Sequence, residues 1–233
     1  MGATKIIAHR GLSSLYYQNT LTAFLQAGES KAFDGIETDI WATSDGAWIC
    51  SHDRDPFADP TLLVDAIPFS KATSIPLNKK KARGAKTEGY EFLCPFEDYL
   101  NVCRDFGLLA VIELKFLIPK AQLPGLLDLI GEKLPIDKYV VISFYKENID
   151  NILEQNAIVN AQILTSNYIS AKRYLNEGYN IGVNNRITTS NLIKRAKVKG
   201  REINVWTVNS SSRARSLIKA GINYLTTDKK LEI

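Results

Sequence analysis

Histidine is scarce in this 233-residue chain, which has two, and cysteine is nearly as scarce, with three. Cys50, Cys94 and Cys103 are odd in number and lack metal-ligand spacing, which argues against a disulfide framework or a cysteine metal site and fits buried thiols in a reducing cytosol. No apolar run reaches the roughly 18 residues of a membrane span. The opening MGATKIIAHRGLSS carries one lysine and no long apolar segment, so a secretory signal is not expected. Gly2 stands in second place, but Lys5 just before an apolar strand argues against N-myristoylation. These absences favour a cytoplasmic protein. Charge of one sign is also in short supply: 29 Lys+Arg against 25 Asp+Glu leave a net +4. The surplus gathers at 79–83 and 194–199. No aromatic residues interleave with those charges, so nucleic acid is not an expected partner, and both runs read as a solvated loop and a solvated helix face. With 45% hydrophobic and 23% charged residues, the chain is an ordinary globular domain, neither collagen, coiled coil nor disordered tail. A chain of this length buries roughly 70% of its unfolded surface and folds without a metal or disulfide to hold it.

What is present is a regular alternation. Strand signals fall at 5–8, 35–41, 47–50, 108–114, 139–143, 161–164, 179–183, 203–206 and 222–225. Helical spacing fills 20–31, 96–106, 123–133, 146–155, 168–177, 189–199 and 211–220. The segment 47–50 follows an Asp45-Gly46 turn and pairs as a hairpin with 35–41. Gly178, Gly200 and Gly221 sit where helices stop, and Thr188 and Ser210 or Ser211 are candidate N-caps. Eight main strands alternating with helices predict a single-domain α/β protein, a (β/α)₈ TIM barrel over 1–233. The rival, an open doubly wound sheet, is weakened in its dinucleotide-binding form because no Gly-x-Gly-x-x-Gly follows the first strand. One stretch breaks the alternation: 54–95 holds five of the eight prolines and no long periodic segment, and reads as an excursion after the second strand.

Polar residues follow the apolar strands in a pattern. His9-Arg10-Gly11 ends the first strand, Glu37-x-Asp39 lies in the second, and the hairpin return ends at His52-Asp53. Glu113-x-Lys115, Trp206-Thr207-Val208-Asn209 and Thr227-Asp228 end later ones. Alternation puts Glu37 and Asp39 on one face, and Glu113 and Lys115 likewise. In a barrel these groups converge on the C-terminal mouth. Three neighbouring carboxylates repel one another; a hard divalent cation, Mg²⁺ or Ca²⁺, removes that cost, and pairing with Arg10 and Lys115 is the alternative or accompaniment. Both histidines fall at this edge, which points to acid–base chemistry rather than two isolated structural roles. Trp206 is either core or a wall of the substrate pocket.

With Asn19-Thr20 added, these motifs in this order resemble the glycerophosphodiester phosphodiesterase family from the first strand to the last. The resemblance implies a metal-dependent TIM barrel that hydrolyses glycerophosphodiesters to glycerol 3-phosphate and an alcohol. It implies Glu37, Asp39 and Glu113 as ligands of one divalent cation, and His9 and His52 as general acid and base. It places Arg10 and Lys115 on the phosphate and Trp206 near the glycerol. In such enzymes the nucleophile can be the glycerol's own 2-hydroxyl, giving a cyclic phosphate that water then opens.

Two departures stand out. Gln18 occupies the place of the acid in the usual Pro-Glu-Asn-Thr segment, and the usual Arg-Thr-Thr after His52-Asp53 is missing. Both bear on substrate choice. A lysophospholipid- or phosphoinositide-cleaving enzyme on the same barrel is the close rival, with 79–83 as a membrane-surface contact. A barrel that binds a phosphoester without turnover is the remaining one, and the intact histidines and carboxylates argue against it.

Overall fold

The computed structural model of the chain describes residues 3–80 and 89–233. Gly2, and Lys81, Ala82 and Arg83 of the first basic run, lie outside them. Among the described residues nine strands follow one another: β1 (Lys5–His9), β2 (Gly35–Ala42), β3 (Trp48–Cys50), β4 (Leu109–Leu114), β5 (Tyr139–Ser143), β6 (Ala161–Thr165), β7 (Asn180–Asn184), β8 (Ile203–Trp206) and β9 (Tyr224–Thr227). Eight of them form a closed parallel ring in the order β1-β9-β8-β7-β6-β5-β4-β2, with β1 pairing back onto β2. β3 stands outside the ring, antiparallel to β2, with Ile40 opposite Cys50 and Ala42 opposite Trp48. Eight parallel strands with helices between them make a TIM barrel, as the alternation predicts.

The helices are α1 (Leu21–Glu29), α2 (Phe69–Ala72), α3 (Phe96–Asp105), α4 (Leu123–Lys133), α5 (Lys146–Gln155), α6 (Tyr168–Glu177), α7 (Ser190–Val198) and α8 (Ser211–Ala220). The strands read as continuous apolar runs because both faces are buried. Alternate residues such as Ile7, Val111, Val140 and Leu164 fill the inside of the ring. The intervening ones, Ile36, Ile112, Val141 and Ile163 among them, pack outward against Phe24, Leu100, Ile149 and other helix residues. Each such side chain contributes roughly 1.5–3 kcal/mol on burial, which is ample reason for the ring to exclude water.

Helix ends follow the expected chemistry with one adjustment. Gly178 and Gly221 adopt the left-handed conformation at the ends of α6 and α8, with φ of 92° and 79°. Gly200, one residue past the Lys199 C-cap of α7, is left-handed as well, with φ of 64°. Ser210 caps α8 by accepting from the Arg213 N–H, whereas α7 is capped by Thr189, not Thr188, through the Leu192 N–H. The last strand starts at Tyr224 rather than 222, and the buried Thr226 and Thr227 pair with Ile7 and Ala8. Threonines carry no apolar signal, so the sequence pattern misplaces that end.

The described parts of the excursion, 54–80 and 89–95, are packed rather than structureless. They carry a turn of 3₁₀ helix (Val64–Ala66) and α2, and they fold around their own apolar cluster of Phe57, Val64, Ile67, Ala72, Leu77 and Leu93. Tyr17, from the connection between β1 and α1, and Ile49 of β3 complete that cluster. The three cysteines are buried and unbonded. No described helix is long and apolar enough to cross a membrane.

Candidate active site

Register brings the polar residues to one end of the ring. His9 lies opposite Glu37 across β1 and β2, and Asp39 lies opposite Glu113 across β2 and β4. Lys115 follows β4 by one residue. The antiparallel return of β3 delivers His52 to the same place, because the Ser51 N–H donates to the Asp39 carbonyl at 2.9 Å. Trp206 ends β8 and faces the same mouth. The result is a cavity of about 280 Å³. One wall is charged, built from His9, Arg10, Glu37, His52, Glu113 and Lys115. The opposite wall is mainly apolar, with Ile142, Phe144, Leu164 and Trp206. Phe144 meets the Trp206 ring edge-on at 5.7 Å.

The chain turns sharply to hold this arrangement. Arg10 and Asn19 adopt positive φ angles of 58° and 57°, and Gly11 one of 81°. Left-handed backbone costs a non-glycine residue roughly 1–2 kcal/mol, so the contacts that fix Arg10 and Asn19 must offset that. The Arg10 N–H donates to Glu37 Oε2 at 3.0 Å, and Asn19 Nδ2 donates to Asp39 Oδ2 at 3.0 Å. Gly11 lies against α1: a Cβ there would sit 2.6 Å from the Ala23 backbone carbon.

Glu37, Asp39 and Glu113 are all buried, and each offers an oxygen within 4.8 Å of the others. Burial and the Asp39 charge push the Glu37 and Glu113 carboxyls above the ordinary range. Burial also pushes Asp39 up, but the adjacent Arg10 and Lys115 cations outweigh it and hold that carboxyl well below the usual range. Arg10 Nε lies 3.1 Å from Asp39 Oδ2, and Lys115 Nζ lies 3.2 Å from Asp39 Oδ1 and 2.8 Å from Glu113 Oε1. Three acids against two fixed cations leave one negative charge uncompensated when all are ionised. The donor set is oxygen only, and it fits a hard divalent cation, which would relieve the repulsion that raises Glu37 and Glu113. Ion pairing with Arg10 and Lys115 therefore accompanies a cation-ready trio.

Each histidine is held from behind. His9 Nδ1 lies 2.6 Å from Asp228 Oδ1, and His52 Nδ1 lies 2.7 Å from Asp53 Oδ1. An ionised carboxylate only accepts, so each Nδ1 carries the proton and each Nε2 is left with a lone pair. His9 Nε2 is 3.9 Å from Glu37 Oε2. Burial is the main influence on both rings and lowers their pKa values; Asp228 opposes it at His9, and Asp39 opposes it at His52. Burial likewise raises Asp228, yet its bonds to His9 and Asn209 bring the carboxyl down to about 2.

All eight residues singled out from the sequence thus meet at one mouth, although Asp39 is fully buried behind the cavity wall. Four partners escaped role assignment there. Asp228 and Asp53 orient the histidines, and Asn19 anchors Asp39. Gln18 Oε1 accepts from Arg10 Nη1 at 2.8 Å, so the amide keeps the acceptor that an acid would supply while lacking its charge. A carboxylate directly after a strand end was the available signal for Asp228, and one directly after a histidine was the signal for Asp53. Phe144 gave none, being one apolar residue after an apolar strand.

Comparison with known proteins agrees with the geometry. The sequence profile described as Glycerophosphoryl diester phosphodiesterase family matches residues 9–121. A glycerophosphodiester phosphodiesterase of Bacillus altitudinis is 25% identical, aligned over 97% of this chain and 94% of its own length. One from Caldanaerobacter subterraneus is 26% identical with the same coverages, 97% and 94%. Among solved structures, an Oleispira antarctica phosphodiesterase in complex with the product sn-glycerol-3-phosphate superposes with a TM-score of 0.82. It is 18% identical, covering 98% of this chain and 94% of that one.

Proposed function

The chain belongs to the glycerophosphoryl diester phosphodiesterase family, and from that premise we propose that it hydrolyses glycerophosphodiesters to glycerol 3-phosphate and an alcohol. The observation that carries this reading is a buried carboxylate trio flanked by two imidazoles, each backed by its own carboxylate, in one cavity. Phosphodiester cleavage requires neutralisation of the phosphoryl oxygens, an activated nucleophile and a protonated leaving group. That cavity offers groups suited to each.

Glu37, Asp39 and Glu113 would hold one divalent cation, Mg²⁺ or Ca²⁺, which when bound supplies Lewis-acid stabilisation of the phosphoryl charge. Arg10 and Lys115 would turn part of their donor capacity to the phosphoryl oxygens. Neutral His9 or His52 would take the proton of the attacking hydroxyl at Nε2, while the other, entering the step as the imidazolium with a proton drawn from solvent onto its Nε2, gives that proton to the departing alkoxide and returns to the neutral form. The lowered pKa of each ring favours the neutral form of the one that accepts and makes the protonated form of the other a stronger acid toward the alkoxide. Asp228 and Asp53 would keep the rings in one tautomer and stabilise whichever becomes cationic. Trp206 and Phe144 would pack against the carbon skeleton of the glycerol.

Incubation of the purified protein with a panel of glycerophosphodiesters and lysolipids, with divalent cation present, tests the reading. Release of glycerol 3-phosphate from a glycerophosphodiester is the expected outcome. Turnover confined to lysolipids would move the assignment to the lysophospholipid class, and an unreactive panel would remove the enzymatic reading.

A further inference from the structure

The second basic run does not form an evenly solvated face. α7 reads Ser-Asn-Leu-Ile-Lys-Arg-Ala-Lys-Val and holds no acid. α6 holds one, Glu177, which faces Arg173 Nε at 3.6 Å. Between the two helices runs a groove of about 450 Å³, lined by Tyr168, Lys172, Lys194, Arg195, Val198 and Lys199. Among the described residues none of these four cations forms an ion pair with a carboxylate. Arg195 Nη2 donates to Asn176 Oδ1 at 2.7 Å, a neutral partner. Like charges gathered without counter-charge repel one another, so the groove is complementary to an anion.

The same surface is also apolar where solvent would favour polar groups. Ile169 and Val198 are each 77% exposed. Ile169 precedes Lys172 by three residues on α6, and Val198 follows Lys194 by four on α7, spacings that make neighbours on a helix surface. Lys172 Nζ lies 5.7 Å from the centre of the Tyr168 ring. We propose that the α6–α7 surface docks the chain onto the anionic face of a phospholipid bilayer. Lysines and the arginine would meet headgroup phosphates, with Ile169 and Val198 entering the acyl boundary. A nucleic acid would use the cations alone: its backbone offers the two aliphatic side chains no apolar partner, and the only aromatic in the groove is Tyr168. Both helices begin at the catalytic end, because each follows the C-terminal end of a barrel strand. Lys194, Arg195, Val198 and Lys199 fall in the second half and at the end of α7, so docking there would lay the flank of the barrel, not its mouth, against the membrane surface.

Flotation of the full-length protein with phospholipid vesicles tests this without reference to hydrolysis. The wild type should float with mixed phosphatidylcholine–phosphatidylglycerol vesicles at low salt, and should fail to float with phosphatidylcholine alone or at high salt. Each lysine near an anionic surface is worth roughly a fivefold change in partitioning, so Lys172→Gln, Lys194→Gln and Lys199→Gln together should weaken it about a hundredfold. Ile169→Ser with Val198→Ser should weaken it roughly tenfold or more. Cleavage of a soluble glycerophosphodiester by both variants should match the wild type. No flotation with anionic vesicles, equal flotation with neutral ones, or undiminished flotation of the lysine variant would overturn the proposal. So would binding of duplex oligonucleotide in place of vesicles.

Discussion

At the scale of single residues the site is built from paired groups, each imidazole backed by a carboxylate. Positioned acid–base groups contribute on the order of 10²- to 10⁴-fold each. His9→Ala and His52→Ala should each lower kcat by that factor, with unchanged far-UV circular dichroism; a fully active His52→Ala protein would remove that ring from the chemistry. Asp228→Asn should lower kcat less, since the ring stays in place while its tautomer is no longer enforced. It should also alter acid stability. The Asp228 carboxyl sits at about 2 in the fold against an ordinary 3.8. A depressed carboxylate stabilises the fold above its unfolded pKa and loses that contribution as pH falls through the folded value. Urea midpoints of wild type and Asp228→Asn should therefore differ above about pH 4 and converge as pH falls toward about 2. A difference that is constant with pH would contradict the pairing. At this scale the sequence was highly legible, because charged residues ending apolar strands need a reason to be there. The partners were less so: Asn19 acts through a left-handed turn that no local pattern announces.

At the scale of elements, strands and helices were legible from periodicity, and α4, α5, α6 and α8 begin and end where it puts them. The excursion was not, because its cluster joins Phe57, Leu77 and Leu93 to Tyr17 and Ile49 across long sequence gaps. Phe57 is fully buried there, and Phe57→Ala should cost about 3–5 kcal/mol by loss of transfer energy and a residual cavity. Leu77, Leu93 and Tyr17 also line a small hollow beside His52, so this variant should lower kcat as well as the urea midpoint. Loss of stability with kcat unchanged would show that the excursion and the His52 wall are independent. Gly11→Ala is a second test. Its Cβ would meet the α1 backbone in a left-handed turn, and overpacking of that kind costs about 1–3 kcal/mol.

At the scale of the whole molecule, closure of the ring is what gathers acids from β2 and β4 with histidines from β1 and the β3 return. Chain separation is large, yet register leaves the three carboxylate oxygens within 4.8 Å. The fold tolerates that charge through Arg10 and Lys115, and the chemistry would add a cation. Chelation should therefore abolish turnover while leaving the barrel folded, and Mg²⁺ or Ca²⁺ should restore it. The most direct measurement is calorimetric titration of Mg²⁺ and Ca²⁺ into the chelator-treated wild type and Glu113→Gln proteins, alongside thermal melts of both. One cation site per chain in the wild type, lost or strongly weakened in a Glu113→Gln protein that still melts cooperatively, is the predicted result. The same isotherm for both proteins, or no binding together with full activity in chelator, would contradict it.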